Sequence, residues 1–302
     1  MIKIPPYLKQ GDTVGLVCPA GYMALEKVQA CVQALQHAGY KVLVGKTVGS
    51  DSLNYFSGSD DERLEDFQSL LDNNEVAAVL CARGGYGTSR ILDRIRFKQY
   101  KRKPKWIIGY SDITALHAHL YSKYGIASLH APMAAAFNDG DNEYLDSVLK
   151  AVTGEKYNYT CEPHEFNRTG KVKGDLIGGN LTLLAHLAGS VSEYKTKGRI
   201  LFMEDIGEYI YNIDRMLVQI KRSGMLKNLA GAVIGKFTDT KDTERPFGKS
   251  VYEVIRDIFE EYDYPICFNF PVSHDKENYA LKVGVEHILK VGKSRVHLQE
   301  GS

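Results

Sequence analysis

The sequence predicts an α/β protein in two parts: a parallel, doubly wound sheet in the first half, followed by a smaller, mixed α/β domain. Three observations carry this prediction. Short apolar runs alternate with amphipathic stretches of helical period from Thr13 to about Met133. Those runs are continuously apolar rather than alternating, as strands buried on both faces are. The pattern then weakens between Phe137 and Lys173 and resumes with a different rhythm. The expected divisions are therefore residues 1–137, a connection over 138–173, and a second domain over 174–302.

Taken in order, Thr13–Cys18 is a buried strand closed by Pro19-Ala-Gly21. A helix follows over Ala24–Ala38 and ends at Gly39, a residue suited to the left-handed position after a helix. Lys41–Gly45 is the second strand. Asp60–Asn73 is a helix whose Leu64, Phe67, Leu70 and Leu71 share a face. Val76–Ala82 is the third strand and runs into Arg83-Gly-Gly-Tyr-Gly87, with a helix from Thr88. Trp106-Ile-Ile108 makes the fourth strand, Asp112–Tyr124 the next helix, and Ile126–Met133 a fifth strand.

Beyond the weak stretch, which holds one helix (Asn142–Val152) and a polar, aromatic-spotted segment (Tyr157–Thr169), the second domain opens at Lys173–Asn180. A helix over Leu181–Leu187 follows it. Arg199–Asp205 is a strand ending in two carboxylates. Helices are expected over Asn212–Leu226 and Val251–Tyr262, with a strand at Ala232–Phe237 between them. Ile266–Phe270 leads into Pro271-Val-Ser-His-Asp275, and antiparallel strands over Tyr279–Val283 and Ser294–Gln299 close the chain.

Composition excludes several classes of partner. The 302 residues carry 38 Lys+Arg against 37 Asp+Glu, a formal net charge of +1. That balance offers no electrostatic footprint for nucleic acid or an anionic membrane. No apolar run is long enough to span a bilayer, and Met1–Lys9 has no secretory apolar region. Cys18, Cys31, Cys81, Cys161 and Cys267 are odd in number and form no C-x-x-C pair. They read as buried free thiols of a reducing compartment, so a cytoplasmic location is expected.

Parallel sheets present ligands at the carboxyl ends of their strands. Ser111 stands at such an end, on the turn between a strand and a helix, as the nucleophile of an elbow does. Gly109 is in place for the G-x-S-x-G form, but Ile113 occupies the second glycine position. Taken on this stretch alone, Ser111 reads more readily as an ordinary helix N-cap. Two further strand ends bear reactive groups: Glu204 with Asp205, and His274. A serine hydroxyl needs an imidazole to take its proton, and the imidazole needs a carboxylate to fix its tautomer. Alternation along the strand would turn Glu204 inward and Asp205 outward. Against this stand a structural salt bridge for Glu204 and a loop-capping role for His274.

Gly84 and Gly85 permit close backbone approach and an N–H directed at an oxyanion. Arg83 could clamp a substrate carboxylate, or form a surface ion pair. The 83–87 turn fits neither nucleotide-binding pattern, and Gly231–Lys236 also fails. His117 and His119 lie two apart on a helix and share no face, so no metal site is expected. Gly178-Gly-Asn180 reads as a tight turn or as the polar rim of a cleft.

Together these stretches resemble the LD-carboxypeptidase (muramoyltetrapeptide carboxypeptidase) family of serine peptidases. The likeness rests on Leu8–Ala20, Arg83–Gly87, Ile108–Thr114, Leu129–Met133, Gly178–Leu181, Met203–Glu208 with Tyr211–Leu217, and the loop from His274 to Gly284, in that order. It implies a flavodoxin-like N-terminal domain and a smaller α/β domain, with a cleft between them. It also implies Ser111 as nucleophile, His274 as base and then acid, and Glu204 as the carboxylate orienting it. The backbone N–H groups of Gly85 and Asp112 would form the oxyanion hole, and Arg83, Tyr86 and Asn180 would contact substrate. No metal or organic cofactor, a muropeptide substrate and a homodimer are implied as well. The chain departs from the family at Asp275-Lys-Glu-Asn278 and at Cys18-Pro-Ala-Gly21. Two other functions remain in view: a microcin-immunity-type peptidase cleaving peptidyl- or aminoacyl-nucleotides, and a muropeptide-binding protein without turnover.

Overall fold

A computed structural model describes residues 2–140 and 142–301, and the chain divides into two compact units. The first comprises Met1–Glu155 and Tyr279–Lys282; the second comprises Lys156–Asn278 and Val283–Ser302. Of the stretch 138–173, the helix Glu143–Thr153 falls in the first unit, and the strand Asn158–Cys161 in the second.

The first unit is built on a six-stranded sheet. Its strands are β1 (Thr13–Val17), β2 (Lys41–Val44), β3 (Val76–Cys81), β4 (Trp106–Gly109), β5 (Ser128–His130) and β11 (Leu281–Val283). They lie in the order β11-β5-β4-β3-β1-β2. The pairs β2–β1, β1–β3, β3–β4 and β4–β5 are all parallel. This is the flavodoxin-like order, in which neighbours β1 and β3 mark the point where the winding reverses. The core strands are apolar because both faces are covered: Leu16, Val17, Val79, Trp106 and Ile107 are fully buried.

The helices of this unit are α1 (Gln29–His37), α2 (Asp60–Asp72), α3 (Thr88–Leu92), α4 (Lys98–Arg102), α5 (Thr114–Tyr124) and α6 (Glu143–Thr153). Helix α2 starts at a capping box in which Ser59 and Glu62 satisfy each other's backbone N–H. Helix α5 is buried along nearly its whole length and ends at Gly125, whose left-handed backbone needs glycine.

Strand β11 departs from the sequence expectation. Residues 279–283 do not pair with the C-terminal strand, but join the edge of the first unit's sheet beside β5. They are tied down locally. The Tyr279 hydroxyl donates to Glu143 at 2.8 Å, and the Ala280 N–H donates to the Ser147 hydroxyl at 2.9 Å.

The second unit carries a seven-stranded sheet: β6 (Asn158–Cys161), β7 (Gly170–Asn180), β8 (Ile200–Ile206), β9 (Gly231–Thr238), β10 (Ile266–Cys267), β12 (Glu286–Val291) and β13 (Val296–Glu300). The order is β10-β9-β8-β7-β12-β13-β6, parallel from β7 to β10 and antiparallel from β7 to β6. Helices α7 (Leu181–Leu187), α8 (Ile210–Arg222) and α9 (Val251–Phe259) follow β7, β8 and β9. Strand β7 passes straight through Gly178-Gly179, so these residues are not a turn. Gly178 has no room for a side chain, because a Cβ there would lie 1.9 Å from the Phe202 carbonyl oxygen.

Candidate functional site

Each unit presents chemistry at the carboxyl edge of its parallel strands. In the first unit, β4 ends at Gly109 and Ser111 follows with φ of 61°. A left-handed backbone at a non-glycine residue costs on the order of 1–3 kcal/mol, and such strain concentrates at functional sites. Ser111 therefore does not serve as a helix N-cap. It opens a short 3-10 turn, Ser111–Ile113, and α5 begins only at Thr114 without a side-chain cap. The departure from G-x-S-x-G is accommodated at Gly109: a Cβ there would meet the Ile113 side chain at 2.9 Å. Glycine before the serine makes space for isoleucine after it.

The glycine-rich turn packs directly on this elbow. A Cβ on Gly84 would lie 3.0 Å from the Ser111 Cβ and 3.3 Å from the Asp112 nitrogen. The Thr88 N–H, just past the turn, donates to the Asp112 carboxylate at 2.8 Å. Gly85 is exposed and left-handed, with φ of 94°. Arg83 forms no ion pair among the described residues; its guanidinium donates to the Tyr22 carbonyl at 2.6 Å. Tyr86 is exposed beside it.

Below the elbow, His117 is fully buried and belongs to the scaffold. Its Nε2 donates to the Gly109 carbonyl at 2.8 Å, so Nδ1 accepts from the Ser128 hydroxyl at the same distance. Burial pulls this imidazole down to about 4, so it is neutral at pH 7. Among the described residues no cluster of three or more His, Cys, Asp or Glu side chains is placed to hold a metal. The five cysteines are free.

In the second unit, β8 ends in Glu204 and Asp205. Both are buried, at 0% and 3% exposure, so Asp205 does not face outward to solvent as expected. Every residue from Ile200 to Asp205 is buried, as on a parallel strand covered on both faces, so neighbours that point to opposite sides are both enclosed. The two carboxylates then take different partners. Asp205 accepts from the Asn180 amide at 2.7 Å and from the Thr182 N–H and hydroxyl at 2.9 Å each. Asn180 in turn caps α7 by accepting from the Leu183 N–H. Burial, with Glu204 adjacent, pushes the Asp205 carboxyl up to about 6.

Glu204 accepts from His274 Nδ1 at 2.5 Å. An ionised carboxylate can only accept, so Nδ1 carries the proton and Nε2 is the basic nitrogen. The loop bearing His274 lies on β9. Phe270 N–H donates to the Ile234 carbonyl, and Lys236 N–H to the Val272 carbonyl, each at 3.0 Å. This approach requires Gly235, where a Cβ would lie 2.3 Å from the Val272 oxygen. The His274 side chain is 9% exposed. Burial disfavours its charged form, but Glu204, then Asp205 and Asp275, outweigh it and hold the imidazole above the usual histidine range.

The sequence pointed to Ser111, Glu204 and His274 by their strand ends. It missed Thr182, the second partner of Asp205, and Arg63, which is wholly buried beneath the glycine-rich turn. The spacing of Thr182 two residues after Asn180 could have suggested a shared partner. Nothing distinguishes Arg63 from the exposed charges around it in Asp60-Asp-Glu-Arg63.

Residues 14–131 match the LD-carboxypeptidase N-terminal domain and residues 173–289 the LD-carboxypeptidase C-terminal domain. A probable murein peptide carboxypeptidase of Bacillus subtilis is 33% identical, over 98% of this chain and 94% of that protein. The microcin C7 self-immunity protein MccF of Escherichia coli is 28% identical, over 97% of this chain and 94% of its own. The crystal structure of muramoyltetrapeptide carboxypeptidase from Oxalobacter formigenes superposes with a TM-score of 0.86 at 29% identity, covering 96% of this chain and 99% of that one. With both family domains matched in order along most of its length, this chain belongs to the LD-carboxypeptidase family.

Proposed function

We propose that this protein is a serine LD-carboxypeptidase that releases the terminal D-alanine of muropeptide tetrapeptides, cutting the amide between an L-centre diamino acid and D-alanine. The observation that carries the reading is the Glu204–His274 pair, with Nδ1 held by a buried carboxylate and Nε2 left as the base. The strained backbone at Ser111 supports it from the other unit.

The reaction follows from these roles. His274 Nε2 takes the Ser111 proton as Oγ adds to the carbonyl carbon on the L side. The backbone N–H groups of Gly85 and Asp112 receive the oxyanion. The C–N bond then breaks as His274 returns the proton to the amine of D-alanine, and water, deprotonated by the same imidazole, hydrolyses the serine ester. Arg83 would hold the terminal carboxylate, and Tyr86 and Asn180 would contact the remainder of the substrate. The proposal includes a cytoplasmic homodimer that needs no cofactor.

The test is incubation with disaccharide tetrapeptide and assay of free D-alanine. Release by wild type and its loss in Ser111→Ala are expected; no release, or undiminished release by the variant, sinks the reading. An aminoacyl-nucleotide conjugate run beside it would, if turned over faster, give the assignment to the microcin-immunity type. Failure of a fluorophosphonate to label Ser111 would leave a binding protein.

A further inference from the structure

Arg63 occupies an unusual position for an arginine. It lies in the first turn of α2 with a side chain of 0% exposure, and four guanidinium N–H groups are spent inside the first unit. Nη1 donates to the Pro19 carbonyl at 2.6 Å and the Gly87 carbonyl at 3.0 Å. Nε donates to the Gly58 carbonyl at 3.3 Å, and Nη2 to the Asp60 carboxylate. The guanidinium carbon stands 4.8 Å from the centre of the Phe56 ring. Asp60 is shared with Arg90, so the buried cation does not have it to itself.

The two Nη1 acceptors belong to the turns that leave β1 and β3, the strands flanking the reversal of the sheet. These turns also meet through the Gly21 N–H, which donates to the Gly84 carbonyl at 3.0 Å. Gly87 is shaped to the guanidinium: a Cβ there would lie 2.8 Å from Arg63 Nη1. Gly84 then rests on Ser111, and Thr88 is tied to Asp112. A chain of close contacts therefore runs from the guanidinium through the glycine-rich turn to the serine elbow. A helix seeking only a packed interior would place an apolar side chain here, since burying a cation is costly. A planar fork with diverging donors is what three carbonyls from separate loops require, and a lysine ammonium cannot reproduce it.

We infer that Arg63 is a positioning residue for the reaction, fixing the 83–87 turn so that the Gly85 N–H is aimed where the oxyanion forms at Ser111. The inference rests on the reading of Ser111 as nucleophile. Its action is through the turn; it touches no substrate atom.

The experiment is the rate of Ser111 phosphonylation by a fluorophosphonate, whose phosphoryl oxygen needs the same N–H donors, measured beside kcat and KM on the tetrapeptide. Arg63→Lys should slow labelling and kcat by about tenfold to a hundredfold, with KM changed less than about threefold. Phe67→Leu, a change of a fully buried residue in the same helix, provides the stability control: it should lower the melting temperature and leave the labelling rate near wild type. Labelling of Arg63→Lys at the wild-type rate, or an equal slowing in Phe67→Leu, overturns the inference. Should Arg63→Lys fail to fold, Asp60→Asn decides: a slowing of about threefold or more supports the inference, and an unchanged rate overturns it. Wild-type protein that resists labelling would instead remove the hydrolase reading, and this inference with it.

Discussion

Two buried imidazoles, one in each unit, show how differently the two strand edges are built. His117 lies under the Ser111 elbow between a carbonyl and a hydroxyl, and burial pulls it down to about 4. His274 is largely shielded, its side chain 9% exposed, yet it is raised, because the charges of Glu204, then Asp205 and Asp275, outweigh burial. Burial alone disfavours the imidazolium; only the carboxylates reverse it. The first edge is thus set by backbone geometry, with glycines allowing close approach and a strained serine. The second is set by buried charge. One edge should answer to added volume, the other to pH.

The strongest test of that contrast is Glu204→Gln. Removing the charge that orients His274 should lower kcat by about 10³-fold or more. It should also move the acid limb of the pH–rate profile. A base must be neutral, so activity falls as pH drops through the raised His274 value; without Glu204, that fall moves to lower pH. A profile with its limb unmoved would break the comparison. Next in size is Gly84→Ala at the geometric edge. Its methyl would press on Ser111 and Asp112, and a displacement near 1 Å costs about 10²-fold in kcat. Here the acid limb should stay in place, and a shifted limb would show that the edges are not separable.

His117 supplies a stability test. Its folded value of about 4 lies below the unfolded value of 6.5, so its neutral form is favoured by folding. The associated stability is complete above pH 6.5 and declines as pH falls towards 4, by about 1.4 kcal/mol per pH unit. Urea unfolding of wild type and His117→Gln at pH 7 and pH 5 should show wild type losing ground to the variant on acidification. The smallest expected effect is that of Asp205→Asn. Asp205 is one of the carboxylates raising His274, behind Glu204, so its removal should shift the acid limb downward by a fraction of a pH unit and change kcat only a few-fold.

Much of the first sheet was legible because strands buried on both faces are uniformly apolar, as in Val76–Cys81 and Trp106–Ile108. The antiparallel part of the second sheet was legible only at its strand Val296–Glu300, expected over Ser294–Gln299. Asn158–Cys161 is half-exposed and polar, and passed for a connection. Glu286–Val291 alternates in burial, but Ile288 on its outer face blurs the period-2 pattern in the sequence. Leu281–Val283 reads as part of a strand, but three residues cannot specify which of two sheets they join. At the site, strand ends disclosed the reactive groups. Strand alternation suggested one inward and one outward carboxylate, but a strand covered on both faces buries Glu204 and Asp205 alike. Arg63 stayed invisible because its burial is decided by loops 24–44 residues away in sequence.

The strand at Leu281–Val283 has a consequence for how the protein is made. The first unit's sheet is finished by residues that leave the ribosome after all of 156–278, roughly 6–25 s later at about 5–20 residues per second. Until then β5 is an unprotected sheet edge, open to pairing with a neighbouring nascent chain. A gene cut after residue 155 would separate the first unit from the strand that completes its sheet, and translation that stops short of residue 279 would leave that sheet permanently open.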